Sequence, residues 1–170
     1  MSVKITFLGT GTSQGVPVIA CDCAVCLSKD PKDNRLRSSI LIEVKNDDGE
    51  KKTIAVDSGP DFRQQMLRAK VNQLDAIIFT HKHKDHIAGL DDVRAFNLKY
   101  KKGMDLYANL DVQKALKVEF AYAFAGNSNP GIPQLNMHTI RPVDKFINVQ
   151  GIQLEVINLM HGEMPVLGFK

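Results

Sequence analysis

A short apolar run that ends in a dense group of histidines constrains this chain more than any other feature. Residues 76–79, Ala-Ile-Ile-Phe, have the length and composition of a buried strand. They are followed by Thr80-His81-Lys82-His83-Lys84-Asp85-His86, which holds three of the five histidines in the 170-residue chain. Imidazole nitrogens and a carboxylate suit a borderline divalent ion such as zinc. The pattern therefore predicts metal ligands at the C-terminal tip of a strand.

The histidine motif divides into two ligand pairs. In an extended segment His81 and His83 point to the same side, which suits one ion. Asp85 and His86 would serve a second ion. The apolar spacing of residues 90–97 is helical, so this second pair is predicted to lie at the start of a helix. The competing interpretation, an exposed polar loop, must place four ligand side chains together by chance.

Asp57 also follows a predicted strand. Residues 39–44 and 52–56 are predicted to be strands, and the Asn-Asp-Asp-Gly sequence at 46–49 between them is typical of a hairpin turn. The second strand ends at Asp57, which is predicted to orient a ligand histidine or a loop. An ordinary turn aspartate is the alternative.

His161 repeats this arrangement in the second half of the chain. Residues 146–149 and 152–159 are predicted to form another hairpin, whose second strand ends beside His161. His161 is thus the expected third imidazole for the ion held by His81 and His83. His138 lies outside such a context and is predicted to be structural or at the surface.

The remaining elements are predicted from periodicity and turn residues. They are a strand at residues 3–8, a helix after Pro60, a strand at 104–107, a helix at 110–124, and a loop at 126–133 that could border a substrate pocket.

All three cysteines lie within six positions, at Cys21, Cys23 and Cys26. Nothing indicates a disulfide framework, so the cluster is interpreted as three thiolate ligands of a structural zinc. A closed structural site needs a fourth ligand, which the sequence does not supply. Small buried thiols in a turn, or a redox-active pair, are the alternatives.

Composition sets the broad class. One domain covering residues 1–170 is expected, and its hydrophobic content of 44% is typical of a globular protein. The net charge of +3 does not by itself indicate a nucleic-acid partner. No apolar run approaches the ~20 residues of a membrane span, and the N-terminus lacks a secretory signal. A cytoplasmic location is therefore expected.

Taken together, these motifs resemble the metallo-β-lactamase fold superfamily. The resemblance extends over the whole chain and rests on four segments: Phe7-Leu8-Gly9-Thr10-Gly11, Asp57-Ser58-Gly59, Thr80-His81-x-His83-x-Asp85-His86 with Gly89-Leu90, and His161-Gly162. More narrowly, Gln14-Gly15-Val16-Pro17 followed by Cys21-Asp22-Cys23-Ala24-Val25-Cys26 is similar to the phosphoribosyl 1,2-cyclic phosphate phosphodiesterases.

The resemblance implies an α+β fold, the αββα sandwich, and a site with two Zn²⁺ or Mn²⁺ ions. It implies metal ligands His81, His83, Asp85, His86 and His161, with Asp85 the candidate catalytic residue. In the narrower family three cysteines bind a structural zinc together with a late histidine.

The resemblance also implies further residues that this chain lacks. The superfamily's second half supplies a bridging aspartate and a last histidine, and neither they nor a fourth ligand for the cysteines follow here. The chain is therefore expected to be the N-terminal portion of the domain, with its C-terminal part missing. Such a portion would expose sheet edges and apolar surface, which a homodimer could cover.

The function expected is metal-dependent hydrolysis of a small cyclic phosphate or nucleotide-like ester by a metal-bound hydroxide. A small phosphoester is the expected partner, and neither a membrane nor a nucleic acid is expected. Three alternatives stay open: a transfer-RNA 3′-processing nuclease, another hydrolase acting on thioesters or lactams, and a non-catalytic metal-binding module.

Overall fold

A computed structural model describes residues 1–126, 129 and 131–170. The strands in these residues are β1 (Ser2–Gly9), β2 (Ser39–Lys45), β3 (Lys51–Val56), β4 (Ala76–Ile78), β5 (Met104–Ala108), β6 (Leu135–Thr139), β7 (Phe146–Val149), β8 (Ile152–His161) and β9 (Met164–Phe169). The helices are α1 (Phe62–Arg68), α2 (Lys84–Ile87), α3 (Arg94–Tyr100) and α4 (Leu110–Glu119), with 3₁₀ turns at Pro31–Asp33, Leu90–Val93 and Ala121–Ala123.

The first sheet has six strands in sequence order, β1 to β6. Strands β1, β2 and β3 are antiparallel, and β3 to β6 are parallel. The β2–β3 pair is closed by the predicted turn, in which Gly49 has φ +85° and Asn46 accepts the Gly49 N–H. The parallel strands are joined by helical crossovers, which places their C-terminal ends along one edge of the sheet.

The two faces of this sheet are covered differently. Helices pack on one face, over a core that includes Leu41, Ala55, Ile77 and Leu106. The second sheet, in the order β7-β8-β9, packs on the other face, where Ile54, Val56 and Ile78 meet Val149 and Leu154. The layers confirm the predicted α+β class. Within the described residues no helix follows β6, so the outer helical layer of an αββα sandwich is not seen.

Some local predictions are wrong. The helix predicted for residues 110–124 ends at Glu119, because Phe120 adopts φ −116° and ψ 40° and a separate 3₁₀ turn follows. Strand β6 was not predicted, and β8 continues to His161. The predicted loop at 126–133 falls partly outside the described residues, at 127, 128 and 130.

An apolar stripe is exposed on β1. Val3, Ile5 and Phe7 are 55%, 56% and 70% exposed. They pair with Val44, Ile42 and Ile40, so they share the face that the second sheet covers at β3 and β4. The expected exposed apolar surface is therefore present on this strand.

Candidate metal centre

The ends of three strands meet at the candidate centre. Strands β3 and β4 are parallel neighbours, so Asp57 and the histidine motif emerge at the same edge of the sheet. The last residue of β8 is His161, which reaches this edge from the second sheet. Leu167 of β9 donates its N–H to the Thr80 carbonyl at 3.0 Å and ties the two sheets together here.

Three imidazoles form one group. The ligand nitrogens of His81, His83 and His161 all lie within 4.8 Å of one another. His81 Nε2 and His83 Nδ1 are 3.2 Å apart. Two nitrogens bound to one tetrahedral zinc ion at ~2.1 Å are separated by about 3.4 Å. The spacing of His81 and His83 therefore fits two ligands of one zinc-like ion, and His161 lies close enough to be a candidate third ligand.

Asp85 and His86 form a separate pair. His86 Nε2 lies 3.2 Å from an Asp85 carboxylate oxygen, and the His81 and His86 rings have centroids 4.0 Å apart. Both residues lie on the single-turn helix α2, which ends at Ile87. The single helix predicted to run from this pair through residues 90–97 is divided into α2, a 3₁₀ turn and α3. The structure thus places this pair beside the three-histidine group rather than within it. Their roles as ligands stay a prediction.

Asp57 accepts hydrogen bonds from two residues of the histidine motif, Thr80 and His86. Its carboxylate is buried and accepts three hydrogen bonds, from Thr80 N at 2.8 Å, Thr80 Oγ1 at 2.8 Å and His86 Nδ1 at 2.6 Å. Asp57 itself has φ +64°, a left-handed conformation that aspartate tolerates better than most residues. The role predicted for Asp57, orienting a ligand histidine or loop, stays a prediction, and these hydrogen bonds are compatible with it. Its contact with His86 Nδ1 directs the other ring nitrogen, Nε2, toward the Asp85 carboxylate, 3.2 Å away.

Thr80 connects Asp57 to His81 through two hydrogen-bond contacts of its hydroxyl group. Its hydroxyl oxygen lies 2.9 Å from His81 Nδ1 and donates its own proton to Asp57. The network therefore assigns a protonated Nδ1 to His81, with Nε2 facing His83. We did not predict this role for Thr80 from the sequence. Its position directly before the first histidine was the available signal.

The pKa values of His81 and His86 are shifted in opposite directions. Burial, with the nearby His86, lowers the pKa of His81 to about 4, so this imidazole is neutral at pH 7 and suited to a metal. Burial would also lower the pKa of His86, but the hydrogen bond and charge of Asp57, with the charge of Asp85, outweigh it and raise the pKa.

Two glycines allow the loops behind the centre to pack closely. A Cβ on Gly59 would lie 2.0 Å from the Asp85 carbonyl oxygen, and one on Gly89 would lie 2.0 Å from the Gly59 carbonyl oxygen. The Ser58 N–H donates to the His86 carbonyl, and the Gly89 N–H donates to the Ser58 carbonyl. Glycine at these positions thus sets the distance between the Asp57 loop and helix α2.

The cysteines form a second group. The Sγ atoms of Cys21, Cys23 and Cys26 lie within 4.8 Å of one another, and Val18 N donates to Cys26 Sγ at 3.3 Å. Hydrogen bonds from the Cys26 backbone and from the Cys21 and Cys26 thiols lower the pKa of Cys23 to about 7. A thiolate at neutral pH favours metal binding. No fourth ligand joins the group among the described residues.

His138 lies apart from both groups. It is in β6, stacks on Tyr107 with ring centroids 4.5 Å apart, and contacts Asp105 at 3.0 Å. Its predicted structural role agrees with these contacts.

Comparison with known proteins yields a family match and longer relatives. The sequence-family model of the beta-lactamase superfamily domain matches residues 52–170 of this chain. The solved structure of a diphosphatase from the PhnP family is 40% identical, with a TM-score of 0.85, over 100% of this chain and 62% of that one. An octanoyltransferase of Porphyromonas gingivalis is 40% identical over 168 residues, 99% of this chain and 33% of that protein.

A shorter match is to the exodeoxyribonuclease WalJ of Streptococcus pneumoniae, 40% identical over 72 residues, 39% of this chain and 25% of that protein. The chain thus spans a third of the length of the Porphyromonas relative. Within the described residues no helix has the length and apolar character needed to span a membrane.

Proposed function

Since this chain belongs to the beta-lactamase superfamily and has the metallo-β-lactamase fold, we propose that it acts as a metal-dependent phosphodiesterase on a small cyclic phosphate or nucleotide-like ester. The hydrolase class is supported by the family match. The substrate class is supported by the likeness to the PhnP-family diphosphatase, which is high in identity and covers this whole chain. The name of the Porphyromonas relative describes a protein three times as long and does not argue for acyl transfer here.

One observation carries the proposal: the nitrogens of His81, His83 and His161 converge within 4.8 Å beside the Asp85–His86 pair. In the proposal the three histidines hold one Zn²⁺ or Mn²⁺ ion, and Asp85 and His86 contribute to a second. Bound ions of this kind lower the pKa of a water ligand and neutralise phosphate charge. Asp85 is the proposed catalytic residue, and Asp57 positions His86 and, through Thr80, His81.

We also propose that Cys21, Cys23 and Cys26 bind a structural Zn²⁺. The segment from Cys21 to Arg37 contains only one 3₁₀ turn as regular helix, so a bound ion would order a stretch that has little secondary structure of its own. The lowered pKa of Cys23 supports this assignment.

The test is hydrolysis of a five-membered cyclic ribose phosphate with Zn²⁺ or Mn²⁺. It is run on this chain and on the full product of its gene, because the relatives are longer. His83→Ala should remove turnover and reduce the number of ions bound, while circular dichroism stays that of the parent. His138→Ala is the matched control, since it also removes a histidine but lies on Asp105 and Tyr107, and it should retain activity.

Equal turnover by the parent and His83→Ala would refute the site assignment. No turnover in protein shown to bind two ions per centre would refute the substrate class and favour another ester or a non-catalytic role.

A nuclease is the second candidate. It is supported by the match to WalJ and by Lys82 and Lys84, which alternate with the ligand residues. Incubation with single- and double-stranded DNA under the same metal conditions separates the two functions. Release of nucleotides without hydrolysis of the cyclic phosphate would favour the nuclease.

A further inference from the structure

A cavity on the helical face of the protein lies between α1 and α3, on the opposite side of the first sheet from the second sheet. It has a volume of about 570 Å³, within the range of small-molecule sites. Its floor is formed by Phe62, Met66 and Phe96, which belong to the core. Leu67, which also lines it, is 61% exposed. A ligand with an apolar body would therefore cover side-chain surface that now faces water.

The two helices run side by side in the same direction along this cavity. Near their starts, a Cβ on Gly89 would lie 2.9 Å from Phe62 Cβ, so the turn that leads into α3 contacts the beginning of α1. Near their ends, the Asn72 carbonyl accepts hydrogen bonds from Lys99 Nζ at 3.1 Å and from the Tyr100 hydroxyl at 2.5 Å. The segment that follows α1 thus joins the end of α3.

This orientation gives the cavity a cationic end. Lys70, just after α1, and Lys99, near the end of α3, both line the cavity beside Asn72. Neither forms an ion pair within the described residues. The opposite end contains Arg63 and Asp92, whose charges are opposite. An apolar floor with uncompensated positive charge at one end is complementary to a molecule with one anionic group on an apolar chain.

We propose that this cavity binds an aliphatic carboxylate. The chain lies along Leu67, Met66 and Phe96, and the carboxylate lies between Lys70 and Lys99. The site is separate from the metal centre, and its occupancy does not depend on the proposed hydrolase function.

The test is titration of the metal-loaded protein with decanoate, followed by NMR of ¹³C-methyl methionine. Met66 is one of six methionines, so its methyl signal reports on the cavity floor while the others report on the rest of the chain. Decanoate should shift the Met66 signal saturably and leave most other methionine signals in place. Decanol, which has the same chain without the charge, should bind more weakly.

A charge variant completes the test. The double variant Lys70→Gln with Lys99→Gln should weaken decanoate binding by about fivefold or more, as expected for two exposed ion pairs. Lys114→Gln with Lys117→Gln removes the same charge from α4 and should leave the affinity unchanged. The proposal is overturned if Met66 shows no saturable shift, if decanol binds as well as decanoate, or if both double variants behave alike.

Discussion

Replacing Asp57 with asparagine tests the logic of the metal centre most directly. The side chain keeps its shape but loses one of its two acceptor oxygens. The aspartate now accepts from Thr80 N, Thr80 Oγ1 and His86 Nδ1, and an asparagine cannot accept from all three. The amide NH₂ would face a donor, and His86 would be driven to carry its proton on Nε2. That nitrogen is the one proposed to bind the metal.

Two magnitudes follow from these contacts. Asp57 is 3% exposed, and a buried donor left without a partner costs about 1–3 kcal/mol, so the free energy of unfolding should fall by roughly that amount. The change of tautomer removes the hydrogen bond that orients a ligand histidine. Loss of such a bond typically lowers metal affinity by about 10- to 100-fold. The loss should fall on the ion at Asp85 and His86. The ion held by His81, His83 and His161 should weaken less, because Thr80 lies between it and Asp57.

The assay is zinc binding by competition with a chromophoric chelator, analysed for two classes of site. Long-range ¹H–¹⁵N NMR spectra of the histidine rings report the tautomer of His86 independently of the metal. Urea unfolding of the metal-free protein measures the change in the free energy of unfolding.

Asp105→Asn is the matched control. Asp105 also accepts hydrogen bonds from three side chains, His138, Asn136 and Gln150, but it lies away from the centre. It should lose stability without losing zinc. If Asp57→Asn binds both zinc ions as the parent does, with His86 in its original tautomer, the positioning role of Asp57 is wrong.

Three other predictions test separate parts of the structure. Gly59→Ala should lower the free energy of unfolding by more than about 2 kcal/mol in urea, because its Cβ would lie 2.0 Å from the Asp85 carbonyl oxygen. Gly168→Ala is the control and should lower it by less than about 1 kcal/mol, because its Cβ would face the flexible end of Leu159. Burial would raise the pKa of Asp105, but the donors around it outweigh burial and lower the pKa. Asp105 therefore contributes stability above its unfolded pKa of about 3.9 that is lost as the pH falls through the lower folded value. Asn136→Ala should thus reduce the unfolding free energy by about 0.5–1.5 kcal/mol at pH 5 and by progressively less below pH 4, and a constant difference across this range would contradict the assignment. Chelation of zinc, or Cys23→Ser, should increase hydrogen exchange of the amides in residues 21–37 while those of β4 stay protected, and equal protection with and without zinc would argue against a structural ion.

The sequence by itself determined where several strands end and which side chains follow those ends. Strand periodicity and turn residues are local signals, so the hairpin that ends at Asp57, the buried run before His81 and the strand that ends at His161 could all be predicted. The alternation of His81 and His83 predicted a shared ion, and their nitrogens lie 3.2 Å apart. The clustering of Cys21, Cys23 and Cys26 within six positions was also evident from the sequence, and their role as ligands stays a prediction.

The tertiary structure decided how the ends of these strands are brought together. Strand β6 and the end of α4 at Glu119 were missed, because β6 depends on pairing with β5 and the helix end depends on where Phe120 packs, at 6% exposure. The network from Asp57 through Thr80 to His81 was also invisible, since it requires β3 and β4 to be parallel neighbours. Residues 23 positions apart become hydrogen-bonded only when the sheet order is set, and sheet order depends on the burial of both faces rather than on any local pattern.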